Sequence, residues 1–142
     1  MADTAVICLG NRYVAADALG CRVHDWLTAR AVPGEVDVVD GGLCGLDLLR
    51  LIENRARVVF VDAVAGSGDP ARTLILDREA IAAHAGTYGH GAGLPYLLRM
   101  LPALLPPPLP EIVLVGQEGE ADAPAVRRIA ERSLEIARHG LV

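Results

Sequence analysis

Five short apolar runs alternate along the chain with longer segments of helical periodicity. The runs cover residues 5–9, 36–40, 58–61, 73–76 and 112–115, and the helical segments cover approximately 17–31, 46–55, 94–105 and 124–139. Near-continuous apolar runs are typical of strands that are buried on both faces of a sheet. The order β-α-β-α-β-β-α-β-α therefore predicts an α/β fold: a three-layer sandwich, with a mostly parallel five-stranded sheet and helices on both faces.

The fourth run follows the third too closely for a helical crossover. A parallel connection needs a dozen or more residues, so we expect this strand to lie antiparallel at an edge of the sheet. Nothing in residues 1–142 suggests a repeat or an internal linker, and the length suits one hydrophobic core. The sequence thus predicts a single domain over 1–142.

The charged residues exclude several classes of function. All 13 basic residues are arginine, so there is no phosphate-binding GK[ST] loop and no lysine for a Schiff base. The net charge of −5 argues against nucleic acid or an anionic membrane as a partner. The longest apolar stretch, 94–109, contains Arg99 and several prolines and cannot span a bilayer. Three cysteines without C-x-x-C spacing favour a reducing compartment, and we expect a cytoplasmic location.

Polar residues gather at the carboxyl ends of the predicted strands, where open α/β sheets bind ligands. Asp17 follows the first strand, Asp40 and Asp62 end the second and third, and a glycine-rich loop presents His90. Each has an ordinary alternative: Asp17 as a helix cap, Asp40 as a turn residue, Asp62 bonded to backbone amides, and His90 as a surface residue. Together, Asp17, Asp62 and His90 form an O,O,N ligand set that suits Zn, Ni, Mn or Co. Cys44 could join them, but a packed residue at a helix start is the simpler interpretation.

Several segments, in order along the chain, carry a resemblance to a known family. The stretch from Leu9 to Gly20 is similar to the GN-x4-D-[DE]-x-x-G opening of the hydrogenase maturation endopeptidases, with Ala16 in place of the first acidic residue. The resemblance continues through three further segments and the approach of His90 to the next helix. These segments are Val39-Asp40-Gly41-Gly42, Val59-Phe60-Val61-Asp62-Ala63 and Val113-Leu114-Val115-Gly116-Gln117.

The resemblance implies an endopeptidase that removes the C-terminal extension of a nickel–iron hydrogenase large-subunit precursor after nickel insertion. It implies that Asp17, Asp62 and His90 bind the metal, which is the nickel of the precursor, with Zn or Cd as possible surrogates. Catalysis would rest on Asp17 and Asp62 at the metal, with Asp40 as a polar helper. Ala16 removes one charge beside this site.

Such a protease needs a docking face for its folded precursor, and we expect Tyr13 and Tyr88 to contribute aromatic anchors to it. The alternative is that both tyrosines pack on the protein's own surface. Two other functions remain open: a non-catalytic, metal-dependent assembly chaperone, and a phosphoacceptor or nucleotide-binding module. The absence of lysine and of a G-x-G-x-x-G motif weighs against the second of these.

Overall fold

A computed structural model describes residues 2–43, 46–64, 69, 72–83 and 93–141. Three residues named in the predictions, Cys44, Tyr88 and His90, lie outside the described residues, as does most of the glycine-rich loop.

These described ranges contain five strands and five α-helices. The strands are β1 (Thr4–Leu9), β2 (Val36–Gly42), β3 (Arg57–Val64), β4 (Thr73–Asp77) and β5 (Glu111–Glu118). The helices are α1 (Leu19–Thr28), α2 (Leu49–Ile52), α3 (Arg78–Ala83), α4 (Gly93–Leu104) and α5 (Ala123–His139). Short 3-10 helices at Ala15–Asp17 and Leu46–Leu48 precede α1 and α2.

The strands form one sheet in the order β2-β1-β3-β5-β4. β1 pairs in parallel with β2 and β3, and β3 pairs in parallel with β5. β4 is antiparallel to β5 and lies at the edge, which confirms the expectation drawn from its short connection. Where the sequence predicted a mostly parallel sheet, the structure has a mixed one, because residues 65–72 are too few for a crossover.

Alternate residues of the strands enter two different hydrophobic clusters. Val59 and Val61 of β3 belong to a cluster with residues of α1 and α5. Val58 and Phe60 belong to a second cluster, which also contains residues of α2, α3 and α4. Because successive side chains of a strand point to opposite faces, the two clusters lie on opposite faces of the sheet. This explains why the strands are apolar at nearly every position.

One short helix was not predicted. α3 follows β4 directly, and only Ile81 of its residues is buried. Six residues with a single buried position give too little periodicity to indicate a helix. Among the residues that the structure describes, no helix is long and apolar enough to cross a membrane.

Candidate functional site

Asp17 lies in the turn that connects β1 to α1. The backbone amide of Asn11 donates to the Asp17 carboxylate at 3.1 Å and to its carbonyl oxygen at 3.0 Å. Asp17 ends a 3-10 helix, and no side chain caps α1, whose N-cap is Ala18. The turn, and not a capping bond to α1, therefore fixes the position of this half-exposed carboxylate.

Two glycines of the GN-x4-D-[DE]-x-x-G segment let the backbone close around Asp17. Gly10 has a φ of 138°, and a Cβ there would overlap the carbonyl oxygen of Asp17. A Cβ at Gly20 would overlap the carbonyl oxygen of Leu9, the last residue of β1. The motif glycines thus bring the start of α1, and Asp17 with it, against the end of β1.

Asp62 lies near the carboxyl end of β3, in the middle of the sheet, and is 1% exposed. It is in register with Gly116 of β5, where a Cβ would lie 2.6 Å from the Asp62 carbonyl oxygen. Strand alternation places the Asp62 side chain on the same face as Phe60, which packs with α4. α4 begins at Gly93, three residues after His90 in the sequence, and packs on this face of the sheet.

A cavity of about 520 Å³ opens at this end of the sheet. Its lining combines the turn before α1 with the ends of β3 and β5: Val14, Ala16, Asp17, Ala63, Val64, Glu118 and Gly119. The cavity brings Asp17 next to residues that directly follow Asp62. Glu118 adds a second carboxylate. The sequence indicates its place at the carboxyl end of β5, because it lies three residues after the apolar run that ends at Val115.

Asp40 has a different environment. It is exposed, and its carboxylate accepts the backbone amide of Gly42 at 3.0 Å, as expected of a turn residue. Val36 and Val38 of β2 pack with the cluster of α1 and α5, so alternation places Asp40 on the face opposite Asp62. Its charge acts instead on Cys8, whose pKa is raised first by burial and then by Asp40.

Three large hydrophobic side chains are exposed around the cavity and the end of β2. Tyr13 is 92% exposed and Leu43 is 61% exposed, and Val14, which follows Tyr13, is itself part of the cavity lining. The backbone amide of Tyr13 donates to the Asn11 side chain at 2.9 Å. Because its side chain is almost fully exposed, Tyr13 does not pack on the protein's own surface, which was the alternative to a docking role.

Within the described ranges, no group of three histidine, cysteine or acidic residues could hold a metal ion. The predicted ligand set needs His90, which is outside those ranges. Asp17 and Asp62 come from different elements whose ends lie at the same edge of the sheet.

The chain is similar to known proteins in sequence and in fold. A family model described as hydrogenase maturation protease matches residues 21–135, a range that includes the positions of Asp62 and His90. The hydrogenase 2 maturation protease of Escherichia coli strain K12 is 29% identical over 75 residues. That alignment spans 52% of this chain and 46% of the relative, so the chain matches about half of the relative's length.

Solved structures give a longer match. The hydrogenase maturating endopeptidase HybD from E. coli is 28% identical, with a TM-score of 0.72, over 92% of this chain and 86% of that one. The [NiFe] hydrogenase maturation protease HybD from Thermococcus kodakarensis is 20% identical, with a TM-score of 0.67. That match covers 94% of this chain and 95% of the other, and at this identity it supports the fold alone.

Proposed function

Because the chain belongs to the hydrogenase maturation protease family, we propose that it is an endopeptidase that removes the C-terminal extension of a nickel–iron hydrogenase large-subunit precursor. The observation that supports this most directly is the cavity shared by Asp17 and the residues after Asp62. It is open and lies at the carboxyl ends of the strands, where a folded substrate can reach the carboxylates. A cytoplasmic location belongs to the same proposal.

The proposal assigns recognition of the inserted nickel to Asp17, Asp62 and His90. The nickel is part of the substrate. Two carboxylates and an imidazole are suitable ligands for it, and they leave coordination positions for the precursor. Burial of Asp62 strengthens its attraction to a cation, since a buried carboxylate interacts across a low dielectric. Zn or Cd should act as surrogates in the free protein.

Hydrolysis would then rest on the metal and the carboxylates. The metal can polarise the scissile carbonyl or activate a water, with Asp17 and Asp62 holding it. A serine or cysteine nucleophile finds no support among the described residues. Ser133 is buried and donates its hydroxyl to Ile129, and burial raises the pKa of both Cys8 and Cys21. Asp40 could act only as a helper, because it lies at the strand end on the other face.

The decisive experiment is a processing assay with the large-subunit precursor in nickel-loaded and nickel-free form. Loss of the extension, measured by mass spectrometry of the intact subunit, is expected only with the nickel-loaded form. Asp47→Asn, which removes an exposed carboxylate from a 3-10 helix, is the control and should process normally. Stable binding of the nickel-loaded precursor without cleavage would instead indicate an assembly chaperone.

Metal binding can be tested separately from cleavage. By isothermal titration calorimetry, the protein should bind about one Zn per chain. Asp17→Asn, Asp62→Asn and His90→Gln should each weaken that binding by at least about tenfold, since even second-shell losses cost that much. Unchanged affinity in the His90 variant would remove this residue from the ligand set.

A further inference from the structure

A second, larger cavity of about 990 Å³ lies between α1 and α5, outside the candidate active site. Trp26 of α1 and Pro124 and Val126 of α5 give it an apolar surface. Arginine and acidic side chains from both helices complete the lining. We call this cavity the α1/α5 groove.

The acidic side chains of the groove are already paired with arginines. The pairs are Asp25 with Arg12 at 2.8 Å, Glu131 with Arg127 at 2.6 Å, and Glu135 with Arg132 at 2.7 Å. Each of these carboxylates is therefore balanced by an adjacent arginine, and together they oppose an anionic ligand only weakly.

Within the described part of the chain, two other arginines of the groove donate only to neutral oxygens. Arg22 donates to the backbone carbonyl of Ala121. Arg128 donates to the side chains of Thr73 and Gln117, both at 3.2 Å. Neither forms an ion pair with any residue that the structure describes, although the chain carries a net charge of −5. The groove thus offers two positive charges beside an apolar surface, which complements a peptide with carboxylates and apolar side chains.

The groove begins at the same edge of the sheet as the candidate active site. α1 starts two residues after Asp17, and α5 starts four residues after Gly119, both of which line the active-site cavity. α1 follows β1 and α5 follows β5, so both helices run away from that edge along one face of the sheet. A chain that leaves the active-site cavity on the Asp17 side can therefore reach the groove, which lies on the sheet face opposite the Asp62 side chain.

We propose that the α1/α5 groove holds the C-terminal extension of the precursor, with carboxylates of the extension bound by Arg22 and Arg128 and apolar side chains against Trp26. This inference rests on the proposed function. The part of the substrate beyond the scissile bond would then be an extended peptide with acidic and apolar side chains.

Trp26 makes the proposal directly measurable, because it is the only tryptophan of the chain and lies in the groove. The probe is a synthetic peptide of the extension of the host organism's nickel–iron hydrogenase precursor, made without tryptophan. Excitation at 295 nm should show a saturable change in Trp26 emission as the peptide is added. The same peptide with amides in place of its carboxylates should bind about tenfold more weakly, as expected for two partly exposed ion pairs.

The matched variants change the protein instead of the peptide. The double variant Arg22→Gln/Arg128→Gln should also weaken binding about tenfold. Arg138→Gln removes one charge from the same helix, but its partner is Glu35 and it lies outside the groove, so its Kd should change less than twofold. Equal affinity of both peptides and of the double variant would overturn the inference. The peptide comparison uses the unmodified protein, so it holds even if the double variant folds poorly.

Processing of the full precursor separates this inference from the proposed function. If the double variant cleaves the nickel-loaded precursor with the KM of the unmodified protein, the groove does not hold the extension, and the protease function stands. If the unmodified protein does not cleave the precursor, the proposed function itself fails. A dimer in sedimentation that covers Trp26 and excludes the peptide would assign the groove to a second copy of the chain and overturn the inference.

Discussion

Gly20→Ala is a one-carbon change that tests whether the close approach of α1 to β1 builds the site. A Cβ at Gly20 would overlap the carbonyl oxygen of Leu9 and lie 2.7 Å from its nitrogen and 2.8 Å from its carbonyl carbon. All three are backbone atoms of a strand that pairs with a neighbour on each side. They cannot rotate away as a side chain could, so α1 must move.

The expected magnitude follows from two opposing effects. Replacing glycine by alanine inside a helix favours folding by up to about 1 kcal/mol. Forcing an extra carbon into a closely packed region costs about 1–3 kcal/mol, and more when only backbone can yield. Moving α1 also loosens Leu19 and Val23, which are buried against the sheet. We expect a net loss of about 2 kcal/mol, or about 6 °C in Tm for a chain of this size.

Urea unfolding followed by circular dichroism would measure this change. The control is Gly34→Ala, because nothing lies within 4 Å of a Cβ at Gly34 and its backbone needs no positive φ. It should alter the free energy of unfolding by less than about 0.5 kcal/mol. Gly20→Ala should also weaken Zn binding, since the shift of α1 carries Asp17 with it. Wild-type stability of Gly20→Ala would refute the argument that this glycine is required by packing.

Two further predictions concern charge pairs and docking. Asp37→Asn should cost about 2 kcal/mol in urea unfolding at pH 7, because its carboxylate accepts from Arg55, whose side chain is 3% exposed. Asp25→Asn should cost under about 1 kcal/mol, because its pair with Arg12 is exposed. The hydrogen bonds from Arg55 and Arg12 lower the pKa of Asp37 and of Asp25, respectively. Each pair therefore stabilises the folded protein fully above the ordinary aspartate pKa, and this stabilisation is lost as the pH falls through the lowered pKa. Asp37→Asn should therefore lose less free energy of unfolding than the wild type when the pH is lowered, and an equal loss would contradict this. Tyr13→Ala should weaken precursor binding by about fivefold or more in a pull-down titration, with Zn affinity unchanged; equal binding would place the docking face elsewhere.

The strands could be predicted from sequence because the sheet is buried on both faces. Every residue from Val58 to Val64 is buried. A short apolar run of this kind favours a buried strand. The direction of β4 followed from the short connection before it. By contrast, α3 has one buried residue, Ile81, and its helical pattern is too short to stand out. Continuous burial thus marks the inner strands β1, β3 and β5, whereas the edge strands β2 and β4 are only partly buried and were indicated by shorter apolar runs.

The candidate site was predictable in position but not in orientation. The sequence indicated that Asp17, Asp40 and Asp62 follow strands whose ends share an edge, and the structure has them there. It could not indicate that Asp40 and Asp62 point to opposite faces. A shift of one residue in register reverses the face of a side chain, and register depends on pairing between distant strands. The pairing of β1 with β2 has such a local shift: Cys8 pairs with Asp40, but Leu9 pairs with Gly42.

The different environments of Asp17 and Asp62 predict different responses to the same replacement. Asp17 is half-exposed in a turn, where water screens its charge. An asparagine at this position could still accept the hydrogen bond from the backbone amide of Asn11. Asp62 is 1% exposed in the central part of the sheet, where its charge acts on a nearby cation with little screening. Asp62→Asn should therefore abolish processing of the nickel-loaded precursor more completely than Asp17→Asn. Because asparagine keeps the volume of the aspartate side chain, we expect the variant to fold, and its Tm separates a loss of function from a loss of folding. Initial cleavage rates of the two variants, measured beside their thermal unfolding, test this order. Normal processing by Asp62→Asn would show that this carboxylate serves the fold, and recognition of the metal would then have to rest on other side chains.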